Sequence, residues 1–169
     1  MLKAYQICND ILQQRHYTII DKDEERIFAS KPDGSKMCVF ISNYPRFNVE
    51  TIHEYISMMN KMEIYHSIIV YKDTVTPVAK KIIEESSDLN IELFHVNELQ
   101  YNITKHYLVP QHQLLFKKNT VGCSNFKKKY SSKFPLLQKN DPVARFYGFD
   151  TGDIIKITRD DGIMFRIVK

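Results

Sequence analysis

Apolar residues recur through the first hundred positions at helical spacing in some stretches and as short β-rich runs in others. Ala4, Ile7, Cys8, Ile11 and Leu12 share one helical face, which predicts a helix over residues 2–15. His16–Ile20 is predicted as a short strand, followed by a charged turn at Asp21–Glu25. Arg26–Ser30 and Lys36–Ser42 flank Lys31-Pro32-Asp33-Gly34-Ser35, whose proline, aspartate and glycine are hairpin-turn residues. Asn48 is placed to cap a helix in which Val49, Ile52, Ile56 and Met59 repeat at helical spacing. Ile64–Tyr71 has the apolar, β-rich texture of a buried strand. Thr76-Pro77 opens another helix, because threonine caps and proline has its φ pre-set for the first helical position. In that helix Ala79, Ile82 and Ile83 point inward, and Lys80, Lys81, Glu84 and Glu85 outward. Ile91–Val96 closes the half as a strand. The order α-β-β-β-α-β-α-β predicts an α/β sandwich whose last strands run parallel around a crossover helix.

The pattern changes after Asn97. Residues 100–116 read as extended and carry Pro110, and Lys117–Lys133 is polar and lysine-rich, with one short helical turn expected at Phe126–Tyr130. Phe134-Pro135-Leu136-Leu137 returns the chain to apolar contact. Asp141 then caps a short helix with Pro142 at its first position and Gly148 ready to end it in a left-handed conformation. Val143, Phe146 and Tyr147 fall at i, i+3 and i+4 and give this helix one apolar face. Ile154–Thr158 and Ile163–Val168, separated by Asp160-Asp161-Gly162, are predicted to pair as a terminal β-hairpin. The whole is an α+β chain of two domains, residues 1–100 and residues 101–169.

Charge sharpens that boundary. Residues 1–100 carry 11 Lys and Arg against 15 Asp and Glu, net −4; residues 101–169 carry 13 against 5, net +8, with no Glu after Glu98. The basic half suits an acidic partner, either nucleic acid or a protein surface, unless its lysines are merely solvated. Cys8, Cys38 and Cys123 are far apart and odd in number, which fits a reducing compartment better than a disulfide framework. The amino-terminal residues lack a secretory apolar region and no stretch reaches membrane-spanning length, so a soluble intracellular protein with no membrane partner is expected, and the Asn-Ile-Thr sequon at 102–104 is read as an accident of composition.

The element order of the first half is also that of the restriction-endonuclease-like fold. Such nucleases hold Mg²⁺ with a carboxylate on one core strand and an acid-x-Lys on the next. Asp33 stands where the first acid would be, but no carboxylate occurs from Gly34 to Val49, so a divergent nuclease lacks its metal ligands and Asp33 reads as a turn residue. The six histidines, at 16, 53, 66, 95, 106 and 112, lack the paired spacing of a zinc site, and five glycines form no phosphate loop. No cofactor and no catalytic residue is expected.

Two stretches remain as candidate binding elements. A helix start capped by Thr76, with Pro77 following, Lys72 just before it and Lys80 and Lys81 in its first turns, suits a phosphate, although an ordinary capped surface helix reads the same way. Lys127, Lys128 and Lys129, with Lys117, Lys118 and Lys133, are either a nucleic-acid contact or a solvated loop. Arg145 lies at the edge of the short helix's apolar face, and Lys156, Arg159 and Arg166 lie on the hairpin, where each is available for an ion pair across an interface.

The string Asp141-Pro142-Val143-Ala144-Arg145-Phe146-Tyr147-Gly148-Phe149, with the Gly-Asp-Ile-Ile-Lys-Ile-Thr-Arg that begins at Gly152 and Phe165-Arg166-Ile167-Val168, resembles the carboxy-terminal assembly domain of the fifth subunit of eukaryotic RNA polymerases, which has a smaller counterpart in the archaeal enzyme. Asn102–His112 is similar to that family's entry into the same domain. In the first half, Tyr71, Thr76-Pro77 and Phe94-His95-Val96-Asn97-Glu98 continue the likeness, with Val78 where the family's Thr-Pro-Ser-Ala has serine. The resemblance implies a non-catalytic polymerase subunit whose first domain is a jaw of the nuclease-like fold without its chemistry. It implies that residues 101–169 anchor on the largest subunit through His106, Pro110, His112, Asp141, Pro142, Arg145, Phe146, Tyr147, Lys156, Arg159 and Arg166, among the other polymerase subunits. Lys72, Thr76, Pro77, Lys80 and Lys81 would lie near downstream duplex DNA, through contacts that position DNA without reading its sequence. A jaw, absent from the archaeal counterpart, implies a eukaryotic or eukaryotic-virus source, and the short loop at Asn43–Phe47 favours a virus. The location implied is the nucleus for a cellular protein, or host cytoplasm, viral factory and virion for a viral one. A free-standing nucleic-acid-binding factor is the alternative that the basic half leaves open.

Overall fold

The computed structural model describes residues 2–44, 46–130 and 134–169. The chain separates into two units, Met1–Tyr101 and Asn102–Lys169. In chain order the first unit runs α1 (Leu2–Gln14), β1 (Thr18–Lys22), β2 (Arg26–Ser30), β3 (Lys36–Ile41), β4 (Arg46–Phe47), α2 (Val49–Lys61), β5 (His66–Tyr71), β6 (Thr74–Val75), α3 (Pro77–Glu85), β7 (Asn90–His95) and a 3-10 turn at Val96–Leu99.

Its main sheet has the order β1-β2-β3-β5-β7, antiparallel from β1 to β3 and parallel from β3 to β7. The central strands carry near-continuous apolar runs because both their faces are covered: Met37–Ile41 and Ser67–Val70 are all buried. Helices α2 and α3 are the crossovers between the parallel strands. α2 buries Thr51, Ile52, Tyr55 and Met59 at helical spacing, and the Tyr55 ring lies 4.6 Å from Phe40 and 5.8 Å from Phe47. α1 buries Ala4, Cys8, Ile11 and Leu12 as its spacing predicts. β1 begins two residues later than predicted, because His16 adopts a φ of 63° and reverses the chain before it can extend. The sequence pattern misses β4 and β6, two residues each, which pair in parallel beside the main sheet.

The second unit contains a 3-10 turn at Ile103–Lys105, β8 (Gln111–Phe116), α4 (Val121–Tyr130), β9 (Leu136–Leu137), α5 (Pro142–Tyr147), β10 (Ile154–Arg159) and β11 (Gly162–Val168). Its sheet has the order β8-β10-β11-β9; the terminal hairpin is its centre, and β9 joins β11 in parallel. One cluster buries Leu137, Ala144, Phe149, Ile155, Ile157 and Val168, with Leu114 and Tyr147 packed against it. A second cluster is aromatic: Phe126 lies 5.0 Å from Phe165, 5.4 Å from Phe134 and 5.7 Å from Phe116 between ring centroids.

That second cluster corrects two expectations. Residues 121–130 form a ten-residue helix and not a polar loop with a single turn, because Phe126 and Tyr130 at i and i+4 pack on the sheet while Thr120 bonds the Cys123 N–H at 3.2 Å. Residues 100–116 are not uniformly extended: Asn102 accepts the Thr104 N–H at 3.0 Å and starts a 3-10 turn before the strand begins at Gln111. The buried Asp153 carboxylate organises the entry to the hairpin, accepting from the backbone of Lys118 at 2.8 Å and of Asp150 at 3.0 Å, with Lys117 Nζ 3.4 Å away.

Candidate functional site

In the first unit, the small β4–β6 ladder brings two helix starts together. Arg46 pairs with Thr74 and Phe47 with Val75, and the Thr76 N–H donates to the Phe47 carbonyl at 3.0 Å. Each strand leads straight into a capped helix. Asn48 Oδ1 accepts from the Thr51 N–H at 3.0 Å, and Thr76 Oγ1 accepts from the Ala79 N–H at 3.3 Å. Between the two starts lies a cleft of about 410 Å³ lined by Arg46, Asn48, Val49, Glu50, Thr76, Pro77 and Val78. Both helices direct the positive ends of their dipoles to this edge, where Arg46 adds a charge and Glu50 offsets part of it. Of the five residues expected near DNA, Thr76 and Pro77 line the cleft. Lys72, Lys80 and Lys81 are exposed and stand outside its lining, Lys81 within 3.6 Å of Glu85.

The same unit holds one buried charged constellation. Arg15 donates from both terminal nitrogens to the Glu92 carboxylate at 2.6 and 2.8 Å, and His66 Nε2 lies 2.7 Å from Glu92 Oε1. Burial pushes Glu92 up, but the Arg15 guanidinium and the hydrogen bonds from Arg15 and His66 outweigh it and hold the carboxyl down at about 2. Glu92 is the one carboxylate on β2, β3, β5 and β7. Its oxygens are committed to that grip, so these strands present no acid for a nuclease metal. Asp33 sits in the β2–β3 turn, where it accepts the Ser35 N–H at 2.8 Å.

In the second unit the predicted docking residues divide into supports and surface. Asp141 accepts from the Val143 and Ala144 N–H groups at 2.8 and 3.3 Å, Pro142 takes the first helical position, and Gly148 closes α5 with a φ of 67°. Phe146 is 3% exposed, so its ring belongs to this unit's own interior. Tyr147 is half-buried and stacks on Phe149 at 5.2 Å. Nδ1 of His112 donates to the Pro110 carbonyl at 2.7 Å, and burial, with Arg166 and Arg159 nearby, lowers its pKa against the raising effect of that bond. Arg166 donates to the Leu136 carbonyl at 3.3 Å, Lys156 is half-buried opposite Phe165 and Gln113, and Arg159 is exposed near the hairpin tip.

His106 anchors a rigid turn. Its N–H donates to Ile103, its carbonyl accepts from Val109 at 2.9 Å, and its Nδ1 accepts from the Leu108 N–H at 3.2 Å. The turn holds Tyr107 88% exposed and Leu108 70% exposed, with the His106 and Tyr107 rings stacked at 4.9 Å. An ordered aromatic and aliphatic knob of this kind has the chemistry of an interface anchor.

Residues 101–168 match the family model described as RNA polymerase Rpb5, C-terminal domain. The subunit rpabc1 of the DNA-directed RNA polymerases I, II and III of Dictyostelium discoideum is 33% identical over 166 residues, covering 88% of this chain and 84% of that protein. The protein named DNA-directed RNA polymerase subunit 454R of Invertebrate iridescent virus 6 is 33% identical over 184 aligned positions, covering 99% and 98%. The chain belongs to the Rpb5 family of RNA polymerase subunits. A further member, RPABC1 of Caenorhabditis elegans, is 33% identical over 127 residues, covering 75% of this chain.

Within this Rpb5-family chain, sequence reasoning missed Arg46 and Asn48, because a two-residue strand leaves no periodic signal. It also passed over Tyr107 and Leu108, whose exposure depends on a turn that His106 closes with its side chain. Of the lysine group, Lys127–Lys129 occupy the last turn of α4, where they complement its dipole, and Lys129 Nζ lies 5.1 Å from the centre of the Tyr130 ring. Lys117 is engaged by Asp150 and Asp153; Lys133 lies outside the described residues.

Proposed function

We propose that this chain is a non-catalytic subunit of a multisubunit DNA-dependent RNA polymerase, anchored on the largest subunit by residues 101–169. Residues 1–100 then contribute a jaw that guides downstream duplex DNA. The observation that carries this reading is the match to polymerase subunits along the whole chain, including 99% of it against the viral relative. The chemistry of the two units agrees. The first offers a cleft with two helix starts and exposed lysines, suited to phosphates and unable to read bases. The second offers the Tyr107–Leu108 knob together with Arg145, Lys156, Arg159 and Arg166. Asp141, Pro142 and Phe146 serve docking from behind, by fixing α5. Nucleotide addition and its metals then belong to the other subunits. The chain works where its polymerase does, in the nucleus for a cellular enzyme, or in host cytoplasm, viral factory and virion for a viral one.

The test is affinity purification of the tagged chain from its native source, followed by mass spectrometry. Both large polymerase subunits should accompany it in near-equal amounts. Recovery alone, or with nucleic acid only, would replace this reading with a free-standing nucleic-acid-binding factor.

A further inference from the structure

The first unit carries a second surface, built from elements other than the β4–β6 edge. One depression of about 510 Å³ is lined by Leu2, Tyr5, Lys22, Asp23, Glu24 and Ile41. Another, of about 460 Å³, is lined by Glu25, Arg26, Ile41 and Asn43, and by Tyr44, Glu54, Tyr55 and Met58. They share Ile41 and divide between them the consecutive run Lys22–Arg26, so they form one groove from the start of α1 to the outer face of α2.

The floor is apolar and partly uncovered: Leu2 is 76% exposed and Tyr44 48% exposed. The charge on the rim is one-sided. Arg26 is taken up by Asp23, which it meets through two nitrogens at 2.8 and 3.0 Å, and Arg26 also lies 5.9 Å from the Phe28 ring. What remains is Glu24, Glu25 and Glu54 against Lys22, all exposed. Carboxylates around an apolar floor exclude a phosphate backbone, so this groove cannot serve the role proposed for the β4–β6 cleft. They suit a protein segment that combines lysine or arginine with apolar side chains, which would bury Leu2 and Tyr44 while its cations meet the glutamates.

We propose that the groove along Leu2, Ile41 and Tyr44 docks a basic, amphipathic peptide segment of a protein partner. Charge complementarity selects this occupant over nucleic acid, and the rim selects it over a second copy of the same groove, which would set glutamates against glutamates.

The experiment is selection of a random twelve-residue phage-displayed library on the full-length chain. A Glu24→Lys, Glu54→Lys double variant is run in parallel, and bound peptides are mapped by amide and methyl NMR shifts. Enrichment of peptides mixing Lys or Arg with Leu, Ile, Phe or Trp is expected, with shifts at Leu2, Ile41 and Met58. The charge-reversed variant should bind those peptides at least tenfold more weakly while keeping its circular dichroism spectrum. Enrichment of neutral or acidic peptides, shifts confined to other surfaces, or unchanged affinity in the variant would each overturn the proposal. Because both substitutions are exposed, a folding defect is not expected. If the spectrum does change, the Tyr44→Ala variant supplies the same comparison, and undiminished binding there overturns the proposal as well. The outcome is independent of polymerase co-purification, so the two readings fail separately.

Discussion

Glu92 is the residue on which pH should act most visibly. Its folded pKa of about 2 lies below the usual glutamate value near 4.3, so the native state favours the ionised form. The stabilisation is therefore present at neutral pH and is lost as the pH falls from about 4.5 through about 2. Arg15 is 6% exposed, and removing it leaves the Glu92 charge with only His66 for a partner. Arg15→Ala should cost about 3 kcal/mol at pH 7, and the gap between variant and parent should narrow toward pH 3. Hydrogen exchange of β5 and β7 amides at the two pH values checks this, and a constant gap would show that Arg15 acts through packing alone. Burial likewise pushes the Cys8 and Cys38 thiols up to about 12, so neither forms thiolate at ordinary pH. Both should resist iodoacetamide at pH 8 in the native chain and react in urea, as mass spectrometry of the alkylated peptides would report.

Helix α5 has six residues and would not persist in isolation, so its ends matter as much as its apolar face. Asp141→Ala removes acceptors for two N–H groups and should cost about 1 kcal/mol. Gly148→Ala should cost about as much, because an L-residue is strained in the left-handed conformation. Urea titration of the isolated chain, with no partner present, measures both; an unchanged midpoint would move Asp141 from support to direct contact. Helix α4 poses the opposite question. Alanine usually gains about 1 kcal/mol over glycine inside a helix, yet a Cβ at Gly122 would stand 2.6 Å from two ring carbons of Phe116. Gly122→Ala should therefore lower the melting temperature, and a rise would mean that the aromatic cluster yields easily. These two helices show what a linear reading can and cannot see. Asp141, Pro142 and Gly148 announce α5 through local backbone chemistry, as Asn48 and Thr76 announce α2 and α3. Helix α4 and the β4–β6 ladder draw their support from residues far along the chain, such as Phe165 for Phe126 and Thr74 for Arg46. The periodic pattern of either segment alone is too short or too polar to reveal that support. The candidate site divides the same way: Thr76 and Pro77 are legible in the sequence, and Arg46, Tyr107 and Leu108 are not.

At the scale of the whole molecule, the two proposed roles predict separable defects. Tyr107→Ala with Leu108→Ser alters side chains that make little contact within the chain, so stability should change by no more than about 0.5 kcal/mol for each exposed site. Incorporation into polymerase should nevertheless fall sharply in co-purification, and normal incorporation would remove the knob from the interface. The β4–β6 edge should behave in reverse. Lys80 and Lys81 are exposed and flank a cleft toward which two dipoles point, so Lys80→Glu with Lys81→Glu should leave assembly intact and weaken the hold on downstream duplex. Contacts made through phosphates release counterions, and each one lost should reduce the dependence of binding on salt concentration by about one logarithmic unit per decade. The measurement is the survival of reconstituted polymerase–DNA complexes across a salt series, with parent and variant compared at each concentration. A steeper loss on short downstream DNA than on long DNA would point to some other contact, because a jaw acts only where duplex reaches it. Equal survival of parent and variant on long duplex would assign these lysines to solvent and leave the Arg46–Thr76 cleft as the remaining candidate for the phosphate contact.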